Sequence, residues 1–202
     1  MEILNELSKD KLLPSLFVFD IDYTLWPIWI DTHVSGPPFK ADPSNPHCVK
    51  DRHGKLIKLY SEVPEIFRLI KNCSRPHIAV ASRTHEPEWA RKVLSIMPFS
   101  ASKDCDSVKF PASNSSKGVN YRSLADIIDY DEIYPGSKLK HFRSLHKKSG
   151  TPYYEMIFFD DEIRNNEVEQ ELGVHFVYVP KGMTLNLFLT AIKDFAKKRK
   201  NP

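Results

Sequence analysis

Asp20 and Asp22 stand two residues apart in the stretch "LFVFDIDYTLWP", directly after the apolar run Leu16 to Phe19. That run reads as a buried strand, and residues i and i+2 of a strand point to one face. Two carboxylates held about 4 Å apart repel by roughly 4 kcal/mol at an effective dielectric near 20. A cation between them would offset that repulsion. Three more polar clusters end apolar runs further along: Ser82-Arg83-Thr84 after "HIAVA", Lys138 closing "YPGSK", and Asp160-Asp161 in "IFFDDE". Clustered carboxylates with oxygen-only partners suit a hard cation such as Mg²⁺, which keeps positions open for phosphate oxygens. Ser82, Arg83 and Lys138 are natural partners for a phosphoryl group. An Asp can attack phosphorus to form an aspartyl-phosphate. A second carboxyl beside it could protonate the leaving oxygen and then activate water.

These residues need elements to hold them. Short apolar runs alternate along the chain with segments whose apolar residues recur at helical spacing. Val63, Ile66, Phe67 and Ile70 follow i, i+3, i+4, i+7. A second helix carries Trp89, Val93, Leu94 and Met97 inward, and a third carries Leu139, Phe142 and Leu145 before "GT" at 150 and 151 stops it. A further helix ends before Gly173, and Thr184 caps a final one with Leu185, Phe188, Leu189 and Ile192 on one face. The alternation predicts an α/β fold of three layers, with five core strands in a parallel sheet covered on both faces. Sites in such sheets form at the carboxyl ends of strands, where the four polar clusters fall. Residues 26 to 61 read as irregular, because "SGPPFKADPSNP" is dense in turn residues, except for a hairpin around Arg52 to Gly54. Residues 99 to 120 read as a surface insertion.

"DIDYT" matches the DxDxT signature of the haloacid dehalogenase superfamily of phosphohydrolases, and "ASRT", "YPGSK" and "FFDDE" follow in that superfamily's motif order. The chain resembles most closely the eukaryotic magnesium-dependent phosphatases, small Rossmann-like members of the acid and protein-tyrosine type without a large cap domain. The resemblance covers most of residues 15 to 195, and the 99 to 120 segment departs from it. It implies a single domain over residues 1–202, with residues 26 to 60 as a flap beside the site. Asp20 would be the nucleophile and a magnesium ligand. Asp22 would be the general acid/base and give its backbone carbonyl to the metal. Ser82 and Arg83 would bind the phosphoryl group or the substrate near it, Lys138 would neutralise the nucleophile, and Asp161 would complete the metal site with Asp160 behind it, unless the two adjacent acids exchange those roles. The substrate would be a small phosphoester or a phosphorylated protein, such as a phosphotyrosine or a phosphorylated sugar adduct of an amine.

Other readings compete at single residues. Ser82 could simply cap the Trp89 helix, and Lys140 competes with Lys138, although two residues along a helix is a turn of about 200°. His33 and His85 lie near the supposed site, and Trp26 and Trp29 fit flap packing better than a stacking platform. "KKRK" at 197 to 200 resembles a nuclear-import patch but also suits the dipole at a helix C-terminus. A phospho-acceptor signalling domain uses similar groups, yet it places its acceptor after the third strand, where this chain offers "YPGSK" without an Asp. A non-catalytic binding module would not be expected to keep both Asp20 and Asp22. A net charge of +3 is too mild to imply nucleic acid or an anionic membrane. No apolar run approaches a membrane span, and the N-terminus is too charged for a secretory signal. Cys48, Cys73 and Cys105 are widely spaced and odd in number, which predicts reduced thiols in a cytoplasmic setting. With no long exposed apolar stripe, a monomer is expected.

Overall fold

The computed structural model describes residues 12–45, 47–99 and 123–200. Apart from Phe99, the expected insertion at 99–120 lies outside the described residues. The strands are β1 (Leu16–Phe19), β2 (Lys40–Ala41), β3 (Cys48–Lys50), β4 (Leu56–Lys58), β5 (His77–Ser82), β6 (Tyr130–Ile133), β7 (Met156–Asp160) and β8 (His175–Tyr178). The α-helices are α1 (Ile30–His33), α2 (Val63–Lys71), α3 (Pro87–Ile96), α4 (Lys138–Ser149), α5 (Glu167–Leu172) and α6 (Leu185–Lys200). Among the described residues no helix is long and apolar enough to cross a membrane.

Five strands form one parallel sheet in the order β6-β5-β1-β7-β8, as the alternating pattern predicts. The chain builds outward from β1 through β5 and β6, then returns to the other side of β1 with β7 and β8. The direction of winding therefore reverses at β1, and a crevice opens at the carboxyl end of that strand. All four β1 side chains are buried, since layers cover both faces of the sheet. Phe17 and Phe19 pack on one side with Phe67 of α2 and Phe188 and Ile192 of α6. Leu16 and Val18 pack on the other with Phe142 and Leu145 of α4. The Phe19 ring stacks on Phe159 at 5.1 Å and tilts against Phe67 at 5.0 Å, which fixes the strand next to Asp20. Burying each such ring stabilises the fold by about 1.5–3 kcal/mol.

The helix ends follow local chemistry. Ser137 caps α4 by accepting from the Leu139 N–H at 3.1 Å, and Gly150 ends it with φ near 69°. Gly173 ends α5 in the same left-handed conformation, and Thr184 Oγ1 accepts from the Leu187 N–H at the start of α6. In the last turn of α6, Lys198 pairs with Glu169 and Arg199 with Glu155, so half of the basic run is held against the fold.

The hairpin around Arg52 to Gly54 is present as β3 and β4, with Val49 opposite Ile57. The Asp51 carboxylate organises its turn by accepting from the His53, Lys55 and Ser35 N–H groups. The rest of residues 26 to 61 is more regular than expected. Strand β2 joins β3 to make a three-stranded antiparallel sheet, and α1 supplies one helical turn. Neither leaves a periodic trace in the sequence, because β2 has two exposed residues and α1 only four.

Candidate active site

The parallel sheet brings the carboxyl ends of β1, β5 and β7 to one edge, and the Tyr134–Ser137 loop delivers the start of α4 to the same place. A pocket of about 290 Å³ opens there, and Asp20, Asp22, Ser82, Arg83, Lys138 and Asp161 all line it. The structure thus gathers all six residues singled out for catalysis, phosphoryl binding and metal. A larger groove of about 620 Å³ lies between β8 and α6, lined by residues such as Phe176, Leu187 and Ala191, and shares no lining residue with this cluster.

Lys138 is the first residue of α4, so its side chain reaches back over the sheet edge. Its Nζ donates to Asp20 Oδ1 at 2.5 Å, pairs with Asp160 Oδ2 at 3.0 Å and bonds the Ala81 carbonyl. Burial alone would lower the Lys138 pKa, but Asp20 and Asp160 outweigh it and hold the ammonium charged. Lys140 instead lies over the Tyr134 ring, which settles the choice between the two lysines.

Strand β1 ends at Phe19, so the two aspartates are in the turn beyond it rather than on one strand face. They line the same pocket in different surroundings. Asp20 faces Lys138. Asp22 turns away, and its Oδ1 accepts from Trp26 Nε1 at 2.6 Å and the Ile30 N–H at 3.2 Å. Burial pushes the Asp22 carboxyl up to about 7, against those two hydrogen bonds, with Asp31 and Asp161 adding to the rise. A value there suits a group that must both give and take a proton near neutrality.

The adjacent acids at the end of β7 part in the same way. Asp160 is fully buried, with Oδ1 accepting from the Glu162 N–H and both oxygens accepting from Asn165 Nδ2. Asp161 faces the pocket, where burial first and Asp160 second raise its carboxyl to about 6. Burial likewise pushes Asp20 upward; Lys138 opposes that shift, while Asp160 and Asp22 reinforce it. Burial is the first cause of all three shifts, so a cation held at this pocket would favour the ionised carboxylates. Among the described residues, no three His, Cys, Asp or Glu side chains make a metal cage by themselves. The donors at hand are the Asp20 and Asp161 carboxylates and the Asp22 backbone carbonyl. That set fits Mg²⁺, which is usually held by one or two carboxylates and keeps several waters.

Ser82 is buried, and its Oγ accepts from the Thr84 N–H rather than capping α3, which begins after Glu86 without a side-chain cap. Arg83 Nη1 donates to Asn165 Oδ1 at 3.3 Å. Asn165 thereby ties Arg83 to Asp160. Nothing in the sequence distinguished Asn165 within "DDEIRNN", since its burial depends on how that turn folds. Trp26 is buried as flap packing, whereas Trp29 is 47% exposed on the pocket rim. His85 also lines the pocket; His33 instead stacks on Trp29 at 5.4 Å.

Residues 12–198 match the family model described as Acid Phosphatase. The chain is 39% identical over 190 residues to Magnesium-dependent phosphatase 1 of Homo sapiens, an alignment that covers 94% of this chain and 92% of that protein. It is 40% identical over 181 residues to a HAD-like hydrolase superfamily protein of Schizosaccharomyces pombe, covering 90% and 94% of the two chains. Among solved structures, a Bacteroides fragilis protein whose N-terminal part contains a phosphatase domain, complexed with Mg, matches with a TM-score of 0.56. That match covers 95% of this chain and 43% of the other at 16% identity, a likeness of fold alone.

Proposed function

The chain belongs to the Acid Phosphatase family, within the haloacid dehalogenase superfamily, and we propose that it hydrolyses phosphomonoesters through an aspartyl-phosphate on Asp20. It is a magnesium-dependent phosphoric monoester hydrolase. The observation that carries the mechanism is the split between its two aspartates, one paired with Lys138 and one held by the flap.

In the first half-reaction an Asp20 carboxylate oxygen attacks phosphorus, and the bond from phosphorus to the ester oxygen breaks. The protonated Asp22 carboxyl delivers its proton to that departing oxygen. In the second, Asp22 takes a proton from water as the water oxygen attacks phosphorus. The acyl-phosphate bond then breaks, releasing phosphate and restoring Asp20. Lys138 balances charge on Asp20 throughout, and Ser82 and Arg83 hold phosphoryl oxygens. Asp20, Asp161 and the Asp22 carbonyl would hold Mg²⁺, and Asp160 would stay outside the metal, orienting Lys138 and Asn165. Bound Mg²⁺ supplies positive charge to the phosphoryl oxygens and to the crowded carboxylates.

For the leaving group, the rim offers aromatic surface. Trp29 stacks on His33, and Tyr23 meets Trp29 edge-on at 5.1 Å. These rings favour aryl phosphates, including phosphotyrosine on a protein, over phosphorylated sugar adducts of amines.

The test is Asp22→Asn, assayed on an alkyl phosphate and on an activated aryl phosphate that departs without a proton. Loss of general acid catalysis should remove roughly 10²–10⁴-fold on the alkyl ester and much less on the aryl ester. Asp20→Asn should abolish turnover on both and leave no trapped phosphoenzyme. Equal losses on the two esters in Asp22→Asn would deny Asp22 the acid role.

A further inference from the structure

Helix α1 touches both halves of the site through consecutive residues. The Ile30 N–H donates to Asp22 Oδ1, while the next residue, Asp31, reaches the loop after β5. Asp31 Oδ2 accepts from the His85 N–H at 3.0 Å and from Thr84 Oγ1 at 3.3 Å. Thr84 is buried and is the pivot of that loop: its N–H donates to Ser82 Oγ and its Oγ1 accepts from the Glu86 N–H. Its one hydroxyl proton is therefore directed to Asp31. The helical turn is itself fixed, because the His33 N–H donates to the Trp29 carbonyl and the Trp29 N–H donates to His33 Nδ1. Asp31 Oδ1 accepts from Thr32 Oγ1, and the His85 ring lies 3.6 Å from Oδ2 but is 81% exposed and adds little.

We propose that Asp31 is a positioning residue that locks the phosphoryl-binding loop Ser82–His85 to the flap turn that orients the Asp22 carboxyl. This rests on the roles given above to Asp22, Ser82 and Arg83. A carboxylate suits the task because it accepts two donors from the loop on one oxygen while its backbone neighbour serves Asp22. Moving the loop without moving Asp22 breaks the Asp31 bonds. The loop that holds the phosphoryl oxygens and the carboxyl that serves the leaving oxygen are thereby held in one register.

The experiment compares Asp31→Ala, Asp31→Asn, Thr84→Val and the Asp31→Ala/Thr84→Val double variant. Each is assayed for kcat and KM on alkyl and aryl phosphates with saturating Mg²⁺, and for orthophosphate binding by calorimetry. Asp31→Ala should lose about 10- to 100-fold in kcat/KM, the scale of a misplacement near 1 Å. Orthophosphate should bind more weakly, and the alkyl ester should suffer more than the aryl ester. Asp31→Asn keeps an oxygen for the His85 N–H and should recover part of the loss, which also keeps the test open if the alanine variant does not fold. Thr84→Val should reproduce part of the defect, and the double variant should lose less than the product of the two single losses, because the two residues share one bond. Unchanged orthophosphate affinity and unchanged kcat/KM in both Asp31 variants would overturn the proposal. So would fully additive losses in the double variant, which would mean that Asp31 and Thr84 act independently. A normal Asp31→Ala beside an Asp22→Asn that loses the alkyl ester would sink this inference alone; if Asp22→Asn also leaves both esters unchanged, the acid role of Asp22 falls too.

Discussion

Replacing Lys138 with Met tests whether the buried cation is a structural keystone as well as a catalytic one. In the native protein Nζ lies 2.5 Å from Asp20 and 3.0 Å from Asp160, with only 1% of the lysine side chain exposed. At an effective dielectric near 20, each pair attracts by about 5–7 kcal/mol. Much of that only offsets taking three charges out of water, several kcal/mol per ion. Methionine fills the same space but leaves Asp20 and Asp160 facing each other without a cation. Breaking a buried pair by removing one partner typically destabilises by about 3–5 kcal/mol. In a domain of this size each kcal/mol moves Tm by roughly 2–4 °C, so a fall of about 6–20 °C is expected. Thermal melts at pH 7 in EDTA measure this, and kcat should fall steeply in the same variant. A variant that melts within about 2 °C of the native protein would refute the reasoning, since the carboxylates would then tolerate each other without Lys138.

Two more outcomes bear on separate parts of the molecule. Asp161→Asn should move half-maximal Mg²⁺ activation upward by about tenfold or more, because Mg²⁺ has few protein ligands to lose, whereas an unchanged Mg²⁺ titration would exclude Asp161 as a ligand. Glu132 is buried on β6, paired with Lys148 at 2.6 Å and bonded by Ser144. Burial alone would raise its pKa, but Lys148 and Ser144 outweigh burial and lower it. Its contribution should therefore be present above the unfolded carboxyl value of about 4.3 and fade as pH falls through the lower folded value. Glu132→Gln should melt slightly lower at pH 7, by about 1 kcal/mol or less because the Lys148 head is half exposed, and should match the native protein in strong acid; a difference that grows on acidification would contradict this.

The core strands and most of the pocket were legible because the signals are local. A buried parallel strand writes itself as a short apolar run, and the polar residue that ends it must lie at the sheet edge. That logic put Asp20, Ser82 and the Asp160–Asp161 pair at the sheet edge, with Lys138 where the loop after a strand enters its helix. It failed where position depends on two loops meeting. Asp160 and Asp161 are adjacent acids, and alternation says that one points inward without saying which. The bond from Asp31 to Thr84 joins segments 53 residues apart, and neither residue belongs to a periodic pattern. Ser82 sits five residues before Pro87, the first residue of α3, near enough to suggest a cap, but its hydroxyl serves the turn at Thr84 instead.

The place of β1 in the sheet gives the two halves of the proposed catalytic pair unequal persistence. With β5 on one side and β7 on the other, the amides of β1 are shielded from hydrogen exchange until the whole sheet comes apart. The antiparallel sheet of the flap has strands of two or three residues each, so it opens at a smaller free energy. Trp26 and Ile30, which aim Asp22, lead into that flap; Asp20 is anchored to β7 through its N–H to the Phe159 carbonyl. Mild denaturation should therefore dismantle the enzyme in order, disorienting the acid while the nucleophile is still in place. In that window the protein would keep turning over esters with self-sufficient leaving groups after it had lost the demanding ones.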